Sequence, residues 1–563
     1  MSFSSLLQNI AESAPGPDTC ALFDFDGTII SGYSATAFLK DQISRGEISP
    51  ADLVQLTQAA TRFGLGSMGF SALMSVHAQY LAGRSEADYI ATSERLFRRA
   101  IAKLIYPEAR KLIAAHRAKG HSIAIISSAT PYQVRPAATD LGIDDVYTSD
   151  LEVVEGLFTG GVVKPTCFGE GKVLAAQAFT KKQRGSLQSC FFYSDSTDDI
   201  ELLEAVGKPV VLNGSRSLRV IARENGWTSA DFDSRGNASG SQVLRSLAAT
   251  GSLVGSFMMS LPLFVLSGSR RDSVNFSISL FADTASALIG LDLEVRGREQ
   301  LWNQRPAIFM FNHQSNADML IMASLIRRDI VGVGKRELKN LPFIGSVMGA
   351  AGVVFIDRSD RKAAIDAMQP LVNAMQQERK SLVIAPEGTR APTRNLGAFK
   401  KGGFHIAIQS GIPIVPVVIH NSSDISPKGD RVFRSGTVHV DVLPAINTTA
   451  WSVATIDEHV AEVRNAFLRT LGQPELSVEE TATLHRLTPE DLRPEIRGQK
   501  KNRRAATERR AATDSRSDDT AADPSLGHQD ASSPSSGRAP ATRQAPATGQ
   551  GNGVEREAPA TRH

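Results

Sequence analysis

Asp24 and Asp26 stand two residues apart in DFDGT, directly after the apolar run CALF, so both carboxylates leave a buried strand toward the same side. Displacement at phosphorus asks for such a pair: one carboxylate attacks, one acid protonates the leaving oxygen, and a cation neutralises the phosphate oxygens. Asp24 fits the nucleophile and Asp26 the acid, while Gly27 allows close backbone approach and Thr28 closes the turn. Downstream, Ser127 ends SIAIIS and offers a hydroxyl to phosphate. Lys172 in GEGK supplies a cation. Asp195 and Asp199 follow the run FFYS in YSDSTDD, with Asp195 placed to ligate Mg2+.

A second set of residues fits different chemistry. His313 and Asp318 lie five apart in NHQSNAD, a spacing that a turn entering a helix can close. Moving an acyl group from a thioester to a hydroxyl needs a base; an imidazole serves near neutral pH, and a carboxylate orients it. A lone His and Asp at this spacing arise more often by chance, but more follows. Lys335 and Glu337 stand in GKRELKNLPFIG, FIDR ends at Arg358, and EGTR (Glu387, Gly388, Thr389, Arg390) follows SLVIAP. GIPIVPV begins at Gly411. Arg358 and Arg390 both end apolar runs, which puts their guanidinium forks at one crevice rim, suited to bidentate phosphate binding.

The elements that must carry these residues are α/β. Short apolar runs (CALFDF, SIAIIS, FFYS, PVVL) alternate with helical stretches, the pattern of a parallel sheet covered on both faces. About a hundred residues of helical periodicity separate the first two runs, too many for a crossover, and imply an inserted helical cap over about 33–115. From Leu291 to Leu471 a second α/β domain repeats the pattern with AIFMF, VVF, LVIA and IVPVVI. Between them, after a polar linker from Gly226 to Gly240, Ser246–Ser269 carries no charge, and Val274–Leu291 is broken only by Asp283. A helical hairpin lying in a membrane interface is the expectation; a buried helix and a true span are the alternatives. Beyond about Pro489 the apolar pattern ends, Arg497–Arg510 holds seven Lys/Arg against one Glu, and APAT recurs, as in a disordered tail. The expected divisions are 1–19 (extension), 20–232, 233–290, 291–475 and 476–563.

At 563 residues the chain needs two or three cores, and 42% apolar with 21% charged residues is ordinary for a folded body. A net charge of +3 gives no ground to expect a nucleic-acid partner. Cys20, Cys167 and Cys190 have no metal-ligand spacing, which fits a reducing compartment, and the N-terminus lacks the basic and apolar regions of a signal peptide.

With DFDGT, Ser127, GEGK and YSDSTDD in order, residues 20–232 resemble the haloacid dehalogenase superfamily of hydrolases, in its helical-cap, phosphoserine-phosphatase-like branch. The resemblance implies a Rossmann-like parallel sheet and an aspartyl-phosphate on Asp24. It implies Mg2+ held by the Asp24 and Asp195 side chains and the Asp26 carbonyl, with Asp199 supporting the metal site. Phosphoserine phosphatases of this branch usually carry a Glu soon after the first motif to hold the amino group; Thr28–Phe38 (TIISGYSATAF) has no acid. The expected substrate is therefore a phosphomonoester without a nearby ammonium group. Phosphoserine, another small phosphometabolite, or a non-catalytic sensor role regulating the other half are the alternatives. NHQSNAD, GKRELKNLPFIG, FIDR, EGTR and GIPIVPV together resemble the glycerolipid acyltransferases, particularly 1-acyl-glycerol-3-phosphate acyltransferases. That implies His313 as base, Asp318 as its orienting partner, and Arg358 with the Glu387–Arg390 loop on the acceptor phosphate, Lys335 being a weaker candidate there. The implied acceptor is lysophosphatidic acid, the donor acyl-CoA or acyl-carrier protein, and the place of work the cytoplasmic face of a membrane. One extension is that the phosphatase half acts on a lipid of the other half.

Overall fold

The computed structural model describes residues 2–65, 67–232, 234, 239–340, 344–356, 368–430 and 432–486. The first half contains β1 (Cys20–Phe23), β2 (Ser122–Ile126), β3 (Asp145–Tyr147), β4 (Leu151–Val154), β5 (Leu157–Val162), β6 (Phe191–Ser194), β7 (Lys208–Leu212) and β8 (Thr228–Ala230). Six of these form one parallel sheet in the order β3-β2-β1-β6-β7-β8. β1 (CALF) and β6 (FFYS) are buried along their whole length, as strands covered on both faces must be, and their apolar and aromatic residues suit that setting. The chain runs outward from β1 to β3 and returns to β6 on the other side of β1. Strand order therefore reverses between β1 and β6, and a crevice opens at their carboxyl ends.

Four helices, Ser34–Ser44, Pro50–Gly64, Phe70–Leu81 and Glu86–Leu96, make the cap. Ser49 and Asp52 form a reciprocal capping box at the second, and Ser85 accepts from the Asp88 N–H at the fourth. The cap is shorter than its helical periodicity suggests. Helix Pro107–Ala118, inside the stretch read as cap, instead packs on the sheet: the His116 ring lies edge-on to Phe23 at 6.1 Å and to Phe191 at 5.0 Å. The hairpin β4–β5 was not anticipated. It turns at Glu155–Gly156, both with positive φ, and fastens the cap through Gly83 N–H to Phe158 O (2.8 Å) and Phe158 N–H to Arg84 O (3.0 Å). Phe158 then meets Tyr89 and Tyr132 edge-on.

In the second half, β9 (Leu291–Arg296), β10 (Ile308–Phe311), β11 (Ile330–Lys335), β12 (Val354–Ile356), β13 (Ser381–Ile384), β14 (Ile414–Ile419) and β15 (Gly436–Val442) form a seven-stranded sheet. Its order is β12-β11-β13-β10-β14-β15-β9, parallel except between β14 and β15. β10 lies between β13 and β14, both later in the chain, so this sheet too has its crevice beside a central strand.

Helices Gly240–Ser267 and Arg270–Ile289 form an antiparallel hairpin turned at Gly268, whose left-handed φ of 68° ends the first helix. Ser273 Oγ donates to Ser260 O across it (2.8 Å). Ala249, Ala285 and Ile289 join the core that contains Phe309 and Val417, so the hairpin belongs to the second domain rather than to a linker. Asp283, the break in the apolar pattern, takes the Arg327 guanidinium through both oxygens (2.8 and 2.7 Å). The first helix is long and apolar enough to cross a membrane, and only 17% of its most apolar window is buried, which rules out a core helix. Leu247, Met259, Val265 and Leu266 are among the large side chains it leaves exposed. Helix Val478–Arg486 lies within the stretch read as tail; residues 487–563, the rest of that tail, lie outside the described residues.

Replacing Phe158 by Ala should remove the aromatic contact between hairpin and cap and cost roughly 3–5 kcal/mol of local stability. Hydrogen exchange over Glu86–Leu96 should accelerate by several orders of magnitude; unchanged protection there would show that the hairpin does not hold the cap.

Candidate active sites

β1 delivers Asp24 to the first crevice, where its N–H bonds Tyr193 O at 2.9 Å. Lys172, from the first turn of helix Glu170–Lys182, is 3% exposed; its Nζ lies 2.9 Å from Asp24 Oδ1 and 2.6 Å from Asp199 Oδ1. Ser194 Oγ donates to the other Asp199 oxygen at 2.6 Å. Asp199, expected at the metal site, is thus turned toward Lys172, and what it supports is the cation beside Asp24. Asp26 accepts from Ser34 N–H (2.7 Å) and Ser34 Oγ (3.1 Å), and Asp195 from Thr28 Oγ1 (3.1 Å). Gly27 has φ +79°, and a Cβ there would stand 2.2 Å from Asp195 Oδ2, so this turn admits only glycine. Ser127 is buried just beyond β2, and the register Phe23↔Ile125 sets the end of β2 beside that of β1.

Charge is unbalanced here. Burial pushes the Asp24 carboxyl up to about 8 against the pull of Lys172, and Asp199 and Asp195 push it further. Burial also raises Asp26 to about 6, against its bonds from Ser34, and Asp195 to about 6. Burial disfavours the charged Lys172, but Asp199 and Asp24 outweigh it and hold the ammonium above its ordinary value. One ammonium against this many carboxylates leaves the crevice short of positive charge. The Asp24 and Asp195 carboxylates and the Asp26 carbonyl are an all-oxygen donor set of the kind that suits Mg2+. Among the described residues no three His, Cys, Asp or Glu side chains form a ready cage, and this set does not require three.

β10 opens the second crevice with Asn312 and His313. The Asn312 amide brackets β14, donating to Ile419 O (2.8 Å) and accepting from Ile419 N–H (2.7 Å). His313 Nδ1 lies 2.7 Å from Asp318 Oδ2, which also accepts the N–H groups of Gln314 (2.7 Å) and Ser315 (2.8 Å). Asp318 opens helix Asp318–Ile326, so its carboxylate folds back over the preceding turn and is fully buried. His313 stays partly exposed, its side chain 20% accessible, which leaves an edge of the ring for a substrate.

Glu387 departs from its expected part in phosphate binding. Its carboxylate turns inward, accepting His313 N–H (2.8 Å) and Gly397 N–H (3.2 Å), while Ala391 N–H returns to His313 O (2.7 Å). A carboxylate so placed holds the backbone at His313 and does not turn toward the mouth to bind an anion. Burial raises it to about 7. Arg390 donates to Asn316 Oδ1, at the mouth beside Gly388 and the exposed Thr389. Lys335 ends β11; Arg358 lies outside the described residues. Asn312, Asn316, Ser34 and the inward role of Glu387 were missed in the sequence. The two asparagines sit within NHQSNAD and were signalled by it, whereas Ser34, eight residues past Asp26, carries no local signal.

Comparison with known proteins decides the family of this second crevice. Residues 292–420 match a model described as acyltransferase, and residues 21–204 one described as haloacid dehalogenase-like hydrolase. The 1-acyl-sn-glycerol-3-phosphate acyltransferase of Saccharomyces cerevisiae is 37% identical over 195 residues, 34% of this chain and 64% of the relative. The human 1-acyl-sn-glycerol-3-phosphate acyltransferase beta is 35% identical over 215 residues, 38% of this chain and 77% of the relative. The chain belongs to the 1-acyl-sn-glycerol-3-phosphate acyltransferase family. The match to the haloacid dehalogenase-like hydrolase model lies ahead of this region in the chain. A phosphoserine phosphatase solved as a phospho-aspartyl intermediate analogue matches at a TM-score of 0.31, with 17% identity over 39% of this chain and 95% of that one.

Because the Glu387 carboxyl is raised from 4.5 to about 7 by folding, the folded state holds the proton more tightly. The resulting stability is complete below pH 4.5 and is lost as pH rises through about 7. Glu387→Gln removes that dependence, worth roughly 3 kcal/mol at most. Urea unfolding of the acyltransferase half at pH 5 and pH 8 should show a smaller drop for the variant; equal drops would mean Glu387 is not the buried titrating group.

Proposed function

We propose that the protein is a bifunctional enzyme of glycerophospholipid synthesis. Its second half acylates lysophosphatidic acid to phosphatidic acid, and its first half hydrolyses a phosphomonoester in a Mg2+-dependent reaction. The observation that carries the first activity is the His313 Nδ1–Asp318 Oδ2 contact of 2.7 Å, at the switch point of a sheet in a chain of this family. With Nδ1–H held by Asp318, Nε2 takes the proton from the acceptor hydroxyl as its oxygen attacks the thioester carbonyl. The tetrahedral intermediate collapses, the thiolate leaves, and His313 returns the proton to it. Three donors on Asp318 Oδ2 fix the carboxylate and hence the ring, so the base needs no reorganisation in the transition state. Arg390 at the mouth suits the acceptor's phosphate. The donor is an acyl-CoA or an acyl-carrier protein.

In the first half, Asp24 attacks phosphorus through the oxygen that Lys172 leaves free. Asp26 protonates the leaving oxygen, then takes a proton from the water that cleaves the aspartyl-phosphate. Mg2+ bound by the Asp24 and Asp195 side chains and the Asp26 carbonyl would neutralise phosphate oxygens. The substrate proposed is a phosphomonoester without an ammonium group near its phosphate. Asp41, the acid of helix Ser34–Ser44, is buried and paired with Arg45 (2.7 Å) and Arg95 (3.5 Å), which leaves that helix no carboxylate for an amine. The exposed apolar side chains of helix Gly240–Ser267 support docking on a membrane surface, on its cytoplasmic side, where a lipid acceptor is reached without leaving the bilayer.

Full-length protein on vesicles with lysophosphatidic acid, labelled acyl-CoA and Mg2+ tests both activities when lipid products and free phosphate are followed together. His313→Ala should lower phosphatidic acid formation by at least ~10³-fold, and Asp24→Asn should abolish phosphate release. Chelating Mg2+ should stop phosphate release while acyl transfer continues. No phosphatidic acid with either donor type would refute the acceptor assignment; efficient phosphoserine hydrolysis would refute the phosphatase substrate class. Protease added outside sealed vesicles should cut both flanks of helix Gly240–Ser267, whereas protection of one flank would mean that the helix spans.

A further inference from the structure

A cleft of about 320 Å³ opens where the hydrolase half meets the acyltransferase half. Lys103 and Arg110 line it from the hydrolase side, and Gln314, Arg394, Lys428 and Arg434 from the acyltransferase side. Asp24, Asp26, His313 and Asp318 do not line it, but Gln314 is the residue after His313, and Arg394 follows the loop that begins at Glu387.

Cations outnumber their partners in these walls. Arg110 is paired with Asp140 (2.5 Å), Arg394 with Asp424 (2.5 Å) and Arg434 with Asp430 (2.9 Å). Lys103 and Lys428 make no ion pair among the described residues; Lys428 donates only to the Arg390 carbonyl (2.6 Å). Like charges also face each other. Burial lowers the Arg110 guanidinium, and Arg394 across the cleft lowers it further; burial and then Arg390 do the same to the Lys428 ammonium. Two groups in the walls are buried with no partner: Arg394 Nε, a donor, and Gln314 Oε1, on a side chain 3% exposed. A buried amide and a guanidinium N–H left without partners cost stability unless a ligand meets them. The loop that carries Lys428 is held to the base's own loop, since Ser315 Oγ donates to Ser426 O (2.8 Å) and Asn316 Nδ2 to Asp430 O (2.9 Å).

We propose that this cleft seats the phosphate of an acyltransferase substrate, with Lys103 and Arg110 of the hydrolase half completing the site. A hydroxyl on that substrate meets the free Gln314 oxygen, and the phosphate lies among Lys103, Arg110, Arg394 and Lys428. The hydrolase half is then part of the acyltransferase's binding surface as well as a second enzyme. The proposal rests on the acyltransferase reading. The phosphate is either that of the acceptor or one carried by the acyl donor, and kinetics separate the two.

The test uses the full chain with Lys103→Glu, Lys428→Ala and Arg110→Lys. Lys103 is exposed and unpaired, so reversing its charge does not threaten the fold. KM is measured separately for lysophosphatidic acid and for acyl-CoA, and inorganic phosphate binding by calorimetry. Lys103→Glu and Lys428→Ala should each raise one KM about tenfold, equivalent to ~1.4 kcal/mol, with little change in kcat, and Arg110→Lys should do so less. A shift confined to the acceptor assigns the phosphate to it, and one confined to acyl-CoA assigns it to the donor. Wild-type acylation with neither KM moved would overturn the proposal. If the wild type makes no phosphatidic acid, the acyltransferase reading fails by itself, and calorimetry decides the cleft: phosphate binding weakened by Lys103→Glu keeps the anion site, and no binding by the wild type removes it.

Discussion

A parallel strand cannot turn straight back onto its neighbour; each connection must cross a face of the sheet, and the strand order must reverse somewhere. Both halves of this chain depend on that constraint. In the first, β1 lies where the order reverses against β6, so residues following two non-consecutive strands, Asp24 and Asp26 on one side and Asp195 and Asp199 on the other, meet at one rim. In the second, β10 lies between β13 and β14, and His313, Glu387 and the Asn312–Ile419 bracket come together for the same reason. Neither constellation needs a specially shaped loop to gather it. The sheets gather it, and the loops aim it.

The two crevices handle buried charge in opposite ways. At Asp24 the carboxylates crowd, Lys172 is their one close ammonium, and burial raises Asp24, Asp26 and Asp195 together. Such a site favours an added positive charge, and burial brings the Asp26 carboxyl up to about 6. At Asp318 one oxygen, Oδ2, lies against three nitrogens, two of them backbone N–H donors, while the buried Oδ1 has no partner among the described residues. It orients an imidazole and needs no cation. Glu387, one strand away, is the intermediate case: buried, raised to about 7, and holding the backbone of His313 rather than its ring.

Most of the architecture was legible because the buried strands are short, apolar and followed by acids or small polar residues. The runs CALF, SIAII, FFYS and IVPVVI are strands, and the carboxylates after the first and third stand in one crevice. The strands that escaped notice are those without such runs. β9 (LDLEVR) at the edge of the second sheet and β15 (GTVHVDV) beside it alternate apolar with polar residues, and β4–β5 lie in a polar stretch although Glu155–Gly156 has the chemistry of a hairpin turn. The cap was drawn too long because periodicity cannot say which body a helix packs on, and Pro107–Ala118 chose the sheet. Glu387 was grouped with its EGTR neighbours because sequence order cannot reveal that alternate residues of a loop face opposite ways. Arg390 points to the mouth and Glu387 to the core, and only the bonds from His313 and Gly397 distinguish them.

The helical hairpin ties an exposed apolar surface to the second sheet. Its second helix is held to the acyltransferase domain by polar contacts, Asp283 on Arg327 and Arg271 with Asn275 on Asp329, and each such exposed pair contributes little by itself. What holds it more strongly is the apolar continuity of Ala285 and Ile289 with the core around Phe309. The first helix packs on the second through small residues, Ser256 and Ser260 among them, and turns its long side chains outward. A hairpin that buries its small residues inward and presents Leu, Met, Phe and Val outward is amphipathic in the sense that suits an interface. Because its inner face is continuous with the core that carries β10, whatever surface the outer face meets lies at a fixed distance from His313. The same packing that folds the domain therefore fixes where this exposed apolar face stands relative to His313.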